Sequence, residues 1–324
     1  MATRTQKGNR KMSEKKKRLF YFNINFDCNN DCVFCAAGSR ETRFLRKRMS
    51  ASQISRILED FNVGAKDTVV INGGEPTVHP EIISILNTAI SRRAFVYLFT
   101  NGVKFSDVNF AYSIVETGVN RVAIPIYSYI GKIHDSLTRH KGSFLATALG
   151  IQNLFSIKEQ HNYPIEIELK TLMCKRNLNH LPQIVNIVLQ SFPLPDYFLF
   201  SSMYVSNAVT TSKNDIVPRL SDCASFLRRS IDIAVTAGLY VCLYYIPLCI
   251  LRDPKYAVLC SKDRYRSDKD PDFYFDSSVP HGIQIKSESA KGENCSKCSF
   301  DFSCDGIWRS YADRFGFDDL CPIT

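Results

Sequence analysis

The sequence predicts an α/β fold, and two patterns lead to that prediction. Up to residue 246, short apolar runs of the kind buried in parallel sheets alternate with segments of helical periodicity. Residues that can perform chemistry follow several of these strands directly, which is where parallel barrels carry their sites. Six strands with helical crossovers form a parallel sheet, and right-handed crossovers curl such a sheet into an open or closed barrel.

The predicted strands and helices follow in a regular order. The six strands are Leu19 to Phe26, Thr68 to Ile71, Phe95 to Thr100, Arg121 to Ile126, Ile165 to Lys170 and Tyr197 to Ser201. Helical patterns lie at about 80–91, 107–117, 143–158 and 178–190, and a helix at about 220–237 and a strand at Leu239 to Tyr244 complete the barrel region. Ser50 and Gln53 form a capping box ahead of apolar residues at helical spacing, and this pattern predicts that another helix begins after Ser50.

The positive charge is concentrated at the N-terminus. Residues 1–18 contain eight Lys or Arg and one Glu, so they carry +7 of the net charge of +9. The rest is close to neutral, which argues against a nucleic-acid-binding surface on the folded body. We expect a basic, disordered tail over 1–18, with contact to RNA or a membrane as an alternative role. There is neither an apolar run long enough for a membrane span nor a signal-peptide core, so we expect a cytoplasmic protein without a membrane partner.

The C-terminal part has a different composition. From residue 247 onward, loops rich in Asp, Lys, Ser and Cys replace the periodic pattern. Such a segment buries little apolar surface, and a bound metal cluster can supply the missing folding free energy. The sequence therefore predicts a tail at 1–18, a barrel at 19–246 and a metal-organised region at 247–324.

Clustered cysteines in a reducing compartment indicate metal or redox chemistry. Cys28, Cys32 and Cys35 follow the first strand with the spacing C-x3-C-x2-C. A four-iron cluster needs four thiolates for saturation, so three on one loop would leave an iron open. A structural zinc site is the alternative, but zinc ribbons normally pair two C-x2-C knuckles, and no fourth ligand lies nearby in the sequence.

The cysteine triplet, with Phe34 before its last member, resembles the defining motif of the radical S-adenosylmethionine (SAM) superfamily. After the second strand, Gly73-Gly74-Glu75-Pro76 resembles the GGEP motif of that family, whose backbone and Glu hold the SAM amino group. The resemblance implies a partial (β/α)6 TIM-like barrel with SAM and a catalytic [4Fe-4S] cluster on the triplet. It also implies an oxidoreductase that reductively cleaves SAM to a 5'-deoxyadenosyl radical, which abstracts hydrogen from a substrate.

Two further residues are candidate SAM contacts. Asn101 lies in FTNG at the end of the third strand and matches a family element, although Asn-Gly is also an ordinary turn. Lys170 ends the fifth strand and could pair with the SAM carboxylate, or it could simply be a lysine at a strand end.

His134-Asp135 with Arg139, followed by Gly142-Ser143-Phe144, resembles the HDxxR and GSF segment of the SPASM and twitch subfamilies. The His-Asp pair could perform acid-base chemistry, but the simpler interpretation places Asp135 at the positive end of a helix. Just before this segment the chain departs from the pattern of those subfamilies, because it has Ile124-Pro125-Ile126-Tyr127 where those relatives often have a serine.

A second cysteine group, Cys295-x2-Cys298-x5-Cys304, resembles the auxiliary-cluster segment of the same subfamilies. The SPASM pattern continues with a cysteine four residues on, and this chain has Trp308 there, so the resemblance implies one auxiliary [4Fe-4S] cluster, with zinc as the alternative. The fourth ligand is ambiguous. Cys249 is favoured because it would attach the region to the last barrel strand, and the alternatives are Cys321 and Cys260.

Three functions remain open. The resemblance favours a maturase of a ribosomally synthesised peptide, served by an electron donor such as flavodoxin or ferredoxin. The residues ahead of the barrel are too few for a folded leader-peptide-binding domain, which favours the alternative, biosynthesis of a small molecule such as a sugar, nucleoside, cofactor or natural product. A non-catalytic, metal-binding, RNA-associated module is the third, but it has no need of an open iron beside a SAM pocket.

Overall fold

A single parallel sheet forms the body of the protein. The computed structural model describes residues 17–36, 47–205, 216–253, 255–256, 272–279, 282, 288–302 and 304–324. The strands are β1 Leu19–Asn23, β2 Thr68–Asn72, β3 Phe95–Phe99, β4 Arg121–Pro125, β5 Glu166–Leu172, β6 Tyr197–Ser201, β7 Val241–Tyr244 and β8 Phe273–Phe275. They are all parallel and lie in the order β7-β6-β5-β4-β3-β2-β1-β8. A separate antiparallel pair joins β9 Ser289–Ala290 to β10 Ile307–Trp308.

Helices connect the strands in the predicted alternation. The α-helices are α1 Ala51–Asp60, α2 Ile82–Ser91, α3 Val108–Glu116, α4 Gly131–Thr138, α5 Ser143–His161, α6 Leu181–Ser191, α7 Leu220–Thr236, α8 Leu248–Leu251 and α9 Arg309–Phe315. Short 3-10 turns lie at Pro76–Val78, Val103–Ser106, Leu178–His180 and Glu293–Lys297. The Ser50 capping box at the start of α1 is confirmed, since Ser50 Oγ accepts from the Gln53 N–H and Gln53 Oε1 accepts from the Ser50 N–H.

The α/β prediction is confirmed, and the sheet contains two strands beyond the six that were predicted for the barrel. One is β7, at the predicted 239–244 segment. The other is β8, which pairs in parallel with β1 and places Tyr274 opposite Tyr21. No sequence pattern indicated β8, because three residues are too few for a periodicity and their partner lies at the other end of the chain.

The two faces of the sheet have separate roles. Phe20, Phe22 and Ile71 are fully buried in the layer between sheet and helices. Each such side chain stabilises the fold by about 1.5–3 kcal/mol. Their alternate neighbours, such as Tyr21 and Val70, face the interior of the barrel and form a second group. This interior widens into a cavity at the carboxyl ends of the strands.

Arg18, the last residue of the predicted tail, is bound to the barrel. Its guanidinium donates to both carboxylate oxygens of Asp67, at 3.0 and 2.7 Å, and to the carbonyl oxygens of Phe61 and Asn62. Burial opposes ionisation of Asp67, but hydrogen bonds from Arg18 and from the Gly64 N–H outweigh it and lower the pKa of this carboxyl. Residues 1–16 of the predicted tail lie outside the described residues.

We expect Arg18→Ala to lower the free energy of unfolding by roughly 1–2 kcal/mol, because a partly exposed bidentate pair and two carbonyl contacts are lost. The folded-state pKa of Asp67 is depressed, so the pair stabilises above the ordinary Asp pKa of about 3.9 and this contribution is lost as the pH falls through the lower folded value. Urea titrations of both proteins at neutral and acidic pH measure the difference, which should shrink on acidification.

Deletion of residues 2–16 is the matched control for this experiment. It removes most of the tail charge but keeps Arg18, and it should leave the unfolding free energy unchanged because the deleted segment has few apolar residues to bury. A deletion as damaging as Arg18→Ala would contradict the assignment of the contribution to Arg18.

None of the helices in the described ranges is both long enough and apolar enough to cross a membrane.

Candidate active site

A cavity of about 500 Å³ opens at the carboxyl ends of the parallel strands, and we call it the barrel cavity. Its volume lies in the range of cofactor and substrate sites. The residues predicted from the sequence that line it are Cys28, Cys32, Phe34, Cys35, Gly74, Glu75, Asn101 and Lys170. The fold therefore brings together residues from the carboxyl ends of β1, β2, β3 and β5.

The three cysteines lie on one loop, residues 28–35, which follows β1 and which we call the cysteine loop. All three side chains are half-buried. The Asn30 N–H donates to Cys28 Sγ at 3.3 Å, and the Cys35 N–H donates to the Cys32 carbonyl at 3.1 Å. The loop therefore folds back on itself and keeps its thiols on the wall of the barrel cavity.

Helix α4 holds the cysteine loop from outside. The N–H groups of Asp31 and Val33 donate to the carbonyls of Thr138 and Leu137, both at 2.9 Å, where this helix ends. Terminal helix carbonyls lack partners within the helix, so they are available to fix the loop. Arg139, of the HDxxR segment, adds an ion pair to Asp31 at 3.5 Å.

The His134-Asp135 pair is structural. Asp135 accepts hydrogen bonds from the N–H groups of Gly142 and Phe144, which confirms its predicted place at the positive end of a helix, here α5. His134 is buried and its Nδ1 accepts from the Tyr127 N–H. Burial lowers the pKa of His134 to about 4, so the ring is neutral at neutral pH.

Tyr127, at the departure after β4, lies beside the cysteines. Its ring contacts Phe34 edge-on at a centroid distance of 4.8 Å, and both residues line the barrel cavity. Burial, and then the charges of Cys32, Cys35 and Cys28, raise the pKa of Tyr127 well above its ordinary value. The segment after β4 therefore places a neutral aromatic ring against the cysteine loop.

Gly73 and Gly74 allow the loops after β1 and β2 to touch. A Cβ on Gly74 would lie 2.4 Å from the carbonyl oxygens of Phe26 and Asp27, and one on Gly73 would lie 2.5 Å from the carbonyl oxygen of Asn25. The N–H of Gly74 donates to that Asn25 oxygen at 2.8 Å. Gly74 lines the barrel cavity, whereas Gly73 lies behind it and supports the loop.

Glu75 is a buried carboxylate with several donors. Its Oε1 accepts from the Thr77 N–H, the Thr77 hydroxyl and the Thr100 hydroxyl, and its Oε2 accepts from the Asn101 N–H at 2.6 Å. Burial raises the pKa of Glu75, although these hydrogen bonds favour the charged form. Glu75 therefore joins the loops after β2 and β3 and also presents a carboxyl to the barrel cavity.

Asn101 connects the loop after β3 to the cysteine loop. Its side-chain amide donates to Asn29 Oδ1 at 2.6 Å and lies 3.9 Å from Cys28 Sγ, and its Oδ1 accepts from the Val103 N–H. Asn101 therefore forms a turn and also contacts the cysteine loop, while its contact with SAM stays a prediction.

Lys170 brings a cation into the barrel cavity. Its Nζ lies 4.0 Å from the centroid of the Phe99 ring. Below it, two positions earlier on β5, Glu168 is fully buried and lies 3.6 Å from Arg121. Burial raises the pKa of Glu168, and the charges of Arg121 and Lys170 oppose that rise.

The second cysteine group lines a smaller cavity, which we call the C-terminal cavity. Cys249, Cys295, Cys298 and Cys304 all contribute to its wall. The N–H of Gly306 donates to Cys304 Sγ at 3.3 Å, and the N–H of Ile323 donates to Cys298 Sγ at 3.4 Å. Hydrogen bonds to cysteine sulfur are among the features by which proteins tune iron-sulfur clusters.

The alternatives for the fourth ligand occupy different places. Cys249 lies in the cavity wall, where burial raises the pKa of its thiol to about 12 and a hydrogen bond from the backbone N–H of Cys321 opposes that rise. The Cys321 side chain is exposed and does not line the cavity. Cys260 lies outside the described residues. The geometry favours Cys249.

Both donor sets fit an iron-sulfur cluster. Within the described ranges, no three His, Cys, Asp or Glu side chains are arranged to hold a single metal ion. A four-iron cluster has a different requirement, because each thiolate binds a different iron. One group offers three thiols and the other four, each around a common cavity.

Sequence analysis missed part of the wall of the barrel cavity. Tyr244, Tyr274, Glu288 and Trp308 line the barrel cavity from β7, β8 and the β9–β10 pair. The sequence analysis noted Trp308 only because it stands where the SPASM pattern has a cysteine. No spacing could have placed it here, because β10 reaches the barrel through long-range contacts.

Comparison with known proteins agrees with this site. The family model described as the radical SAM superfamily matches residues 22–153, which include the cysteine loop and Glu75. The chain is similar to the Fe-coproporphyrin III synthase of Methanosarcina barkeri, with 22% identity over 204 residues, 63% of this chain and 49% of that protein. It is also similar to the mycofactocin maturase MftC of Mycobacterium tuberculosis, with 28% identity over 133 residues, 40% of this chain and 32% of that protein. The chain thus spans about half or less of these relatives.

Two solved structures show the same fold over most of the chain. The structure of anSMEcpe with bound AdoMet has a TM-score of 0.60 at 14% identity and covers 94% of this chain and 92% of that one. SuiB of Streptococcus suis, bound to the precursor peptide SuiA, has a TM-score of 0.64 at 13% identity and covers 92% of this chain and 73% of that one. The family match over residues 22–153 and the shared fold lead to one conclusion: this part of the chain is a radical SAM superfamily domain.

Proposed function

We propose that the protein is a radical SAM oxidoreductase that abstracts hydrogen from a ribosomally synthesised peptide. Membership of the superfamily implies SAM and a four-iron cluster as cofactors. The observation that supports the proposal best is the meeting of three thiols, the Glu75 carboxyl and the Asn101 amide in one cavity. When bound, the cluster and SAM supply hydrogen-atom abstraction, and 5'-deoxyadenosine is the product that reports it.

We assign different residues of the chain to the binding of the cluster and of SAM. We assign the catalytic cluster to Cys28, Cys32 and Cys35, with Phe34 packing the loop against Tyr127. Glu75 and the Gly74 backbone are proposed to hold the SAM amino group, because an anionic acceptor attracts an ammonium group. Lys170 is the proposed partner of the carboxylate.

Glu75→Gln tests the assignment of the SAM amino group. Because the substitution is isosteric but uncharged, SAM affinity should fall roughly 10- to 100-fold, corresponding to a charge-assisted hydrogen bond of about 1.5–3 kcal/mol. Equilibrium dialysis with SAM on the anaerobically reconstituted protein measures it. Glu75→Ala is less informative, since it would also leave the buried N–H groups of Thr77 and Asn101 without their acceptor.

The matched control is Thr77→Val, which removes a hydroxyl that donates to Glu75 and leaves the charge in place. It should lower thermal stability while SAM affinity stays near that of the parent protein. If Glu75→Gln binds SAM as tightly as the parent, Glu75 only joins the two loops.

The peptide part of the proposal rests on relatives. SuiB was solved with a precursor peptide, anSMEcpe with the Kp18Cys peptide, and MftC is named a maturase. Biosynthesis of a small molecule is the second candidate, which the similarity to Fe-coproporphyrin III synthase favours. The meeting of three thiols and the Glu75 carboxyl in one cavity argues against an RNA-associated module, which has no need of such a site.

Anaerobic incubation with SAM, a low-potential electron donor such as reduced flavodoxin, and candidate substrates tests the function. We expect 5'-deoxyadenosine to form, and to form faster with peptides encoded beside the gene than with porphyrins or nucleotides. Mass spectrometry should show a matching loss of hydrogen from the peptide. Absence of 5'-deoxyadenosine under all conditions would refute the oxidoreductase, and acceleration by a small molecule alone would favour the second candidate.

A further inference from the structure

Trp308 connects the walls of the two cavities along the chain. Its indole ring lines the barrel cavity. Four residues earlier in the chain, Cys304 lines the C-terminal cavity. The segment between them turns at Gly306, which has a φ of +83°. A side chain does not fit there, because a Cβ at this position would lie 2.3 Å from the Ala290 carbonyl oxygen. A closely packed turn at Gly306 therefore joins Cys304 to Trp308.

Tyr245, which lies on a different segment of the chain, packs against the indole ring of Trp308. The two rings are stacked, with centroids 3.5 Å apart and planes at 11°. Tyr245 lies directly after β7, and four residues later Cys249 lines the C-terminal cavity. Its backbone has a φ of +52°, in the left-handed region that is costly for a non-glycine residue, and such strain persists only where the surroundings enforce it. Two independent segments thus connect the stack to the C-terminal cavity.

Aromatic rings surround the indole. The rings of Tyr204 and Tyr244 meet it edge-on at 5.3 and 5.5 Å. Its Nε1–H is buried and has no hydrogen-bond partner in the described part of the chain. A buried donor without an acceptor does not hold its side chain in place. The position of the ring therefore depends on the stack and on the segments that carry it.

We propose that the C-terminal cavity positions Trp308 in the wall of the barrel cavity, with the Tyr245–Trp308 stack as the connection. The proposal rests on the proposed function for what fills each cavity, namely an iron-sulfur cluster in the C-terminal one. Loading that cavity fixes Cys249 and Cys304, and with them both partners of the stack. In this proposal Trp308 is a positioning residue, because its indole ring forms part of the wall of the barrel cavity.

Because Trp308 is the only tryptophan of the chain, its fluorescence reports on this place alone. The test uses full-length protein with Cys28, Cys32 and Cys35 replaced by Ala, so that iron and sulfide can load only the C-terminal cavity. The measurement is the bimolecular acrylamide quenching constant, obtained from fluorescence lifetimes so that absorption and energy transfer by the cluster do not affect it. We expect loading to lower this constant roughly two-fold or more, as local opening is suppressed.

Two substitutions at the stack make the test specific. Tyr245→Phe keeps the ring and should reproduce the protection of Trp308. Tyr245→Leu removes the ring at the same strained backbone position, and it should leave the quenching constant high although about four irons are bound. Iron analysis and far-ultraviolet circular dichroism on both variants verify loading and folding.

The outcomes separate this proposal from the proposed function. An unchanged quenching constant on loading, or equal protection in the Leu and Phe variants, overturns the coupling. A C-terminal cavity that takes up no iron overturns it as well. All these proteins lack the cysteine triplet and see no SAM, so none of these results depends on whether the parent protein forms 5'-deoxyadenosine.

Discussion

Replacing Cys28, Cys32 and Cys35 together with Ala should abolish the formation of 5'-deoxyadenosine and lower the iron content from about eight to about four per chain. The reason is geometric, because the cysteine loop supplies every thiol of the barrel cavity among the described residues. Iron analysis after anaerobic reconstitution and chromatography of SAM reaction mixtures measure the two effects.

The fold should survive this triple substitution. The half-buried thiols contribute little packing, and the loop keeps its hydrogen bonds from Asp31 and Val33 to the end of α4 because these involve only the backbone. Cys223→Ala is a suitable control, since this thiol lies on the buried face of α7 and lines neither cavity. That variant should keep about eight irons and full SAM cleavage. Continued formation of 5'-deoxyadenosine by the triple variant would show that the catalytic cluster is bound elsewhere.

What the sequence could predict was local. The alternation of strands and helices, the capping box at Ser50 and the position of the cysteine loop after β1 follow from neighbouring residues and from the rule that parallel sheets carry their sites at one edge. Gly73 and Gly74 were predicted as part of the SAM site, which stays a prediction, and their close approach to the loop after β1 is a further reason for glycine at both positions.

What the sequence could not predict depends on contacts between distant segments. β8 joins β1 from the far end of the chain, and it brings Tyr274 into the barrel cavity. The partners of Glu75 come from the loop after β3, so its second role in joining two loops has no signature in the GGEP motif. Trp308 is the clearest case, because a position noted for lacking a cysteine turns out to shape the cavity.

The C-terminal region is held by two kinds of interaction. At its end, packing dominates, because Tyr311 on α9 is buried and its hydroxyl accepts from the Leu220 N–H at 2.8 Å. Around the cysteines, the described residues include a short 3-10 turn and surface ion pairs such as that of Lys291 with Asp301. The prediction that metal ligation organises the region therefore applies most strongly to residues 291–304.

Cys295→Ala combined with Cys298→Ala should again leave about four irons, this time in the barrel cavity. Without ligation, residues 291–304 lose most of the free energy that orders them, since metal binding to such segments is coupled to their folding. Limited trypsin digestion should therefore cut after Lys291 and Lys297, while Arg309 and Arg314 on the packed helix α9 stay protected. SAM should still be cleaved slowly, but without productive turnover of substrate.

Single substitutions then identify the fourth ligand. Cys249→Ala should change the electron paramagnetic resonance spectrum of the auxiliary cluster and expose the same two trypsin sites, because its thiol lies in the cavity wall. Cys321→Ala should change neither, because its side chain is exposed and only its backbone N–H reaches the Cys249 sulfur. If Cys321→Ala changes the spectrum and Cys249→Ala does not, Cys321 is the fourth ligand. If both variants keep the auxiliary signal, Cys260 is the fourth ligand. Full iron content together with resistance to trypsin in the Cys295 and Cys298 double variant would refute the auxiliary cluster itself.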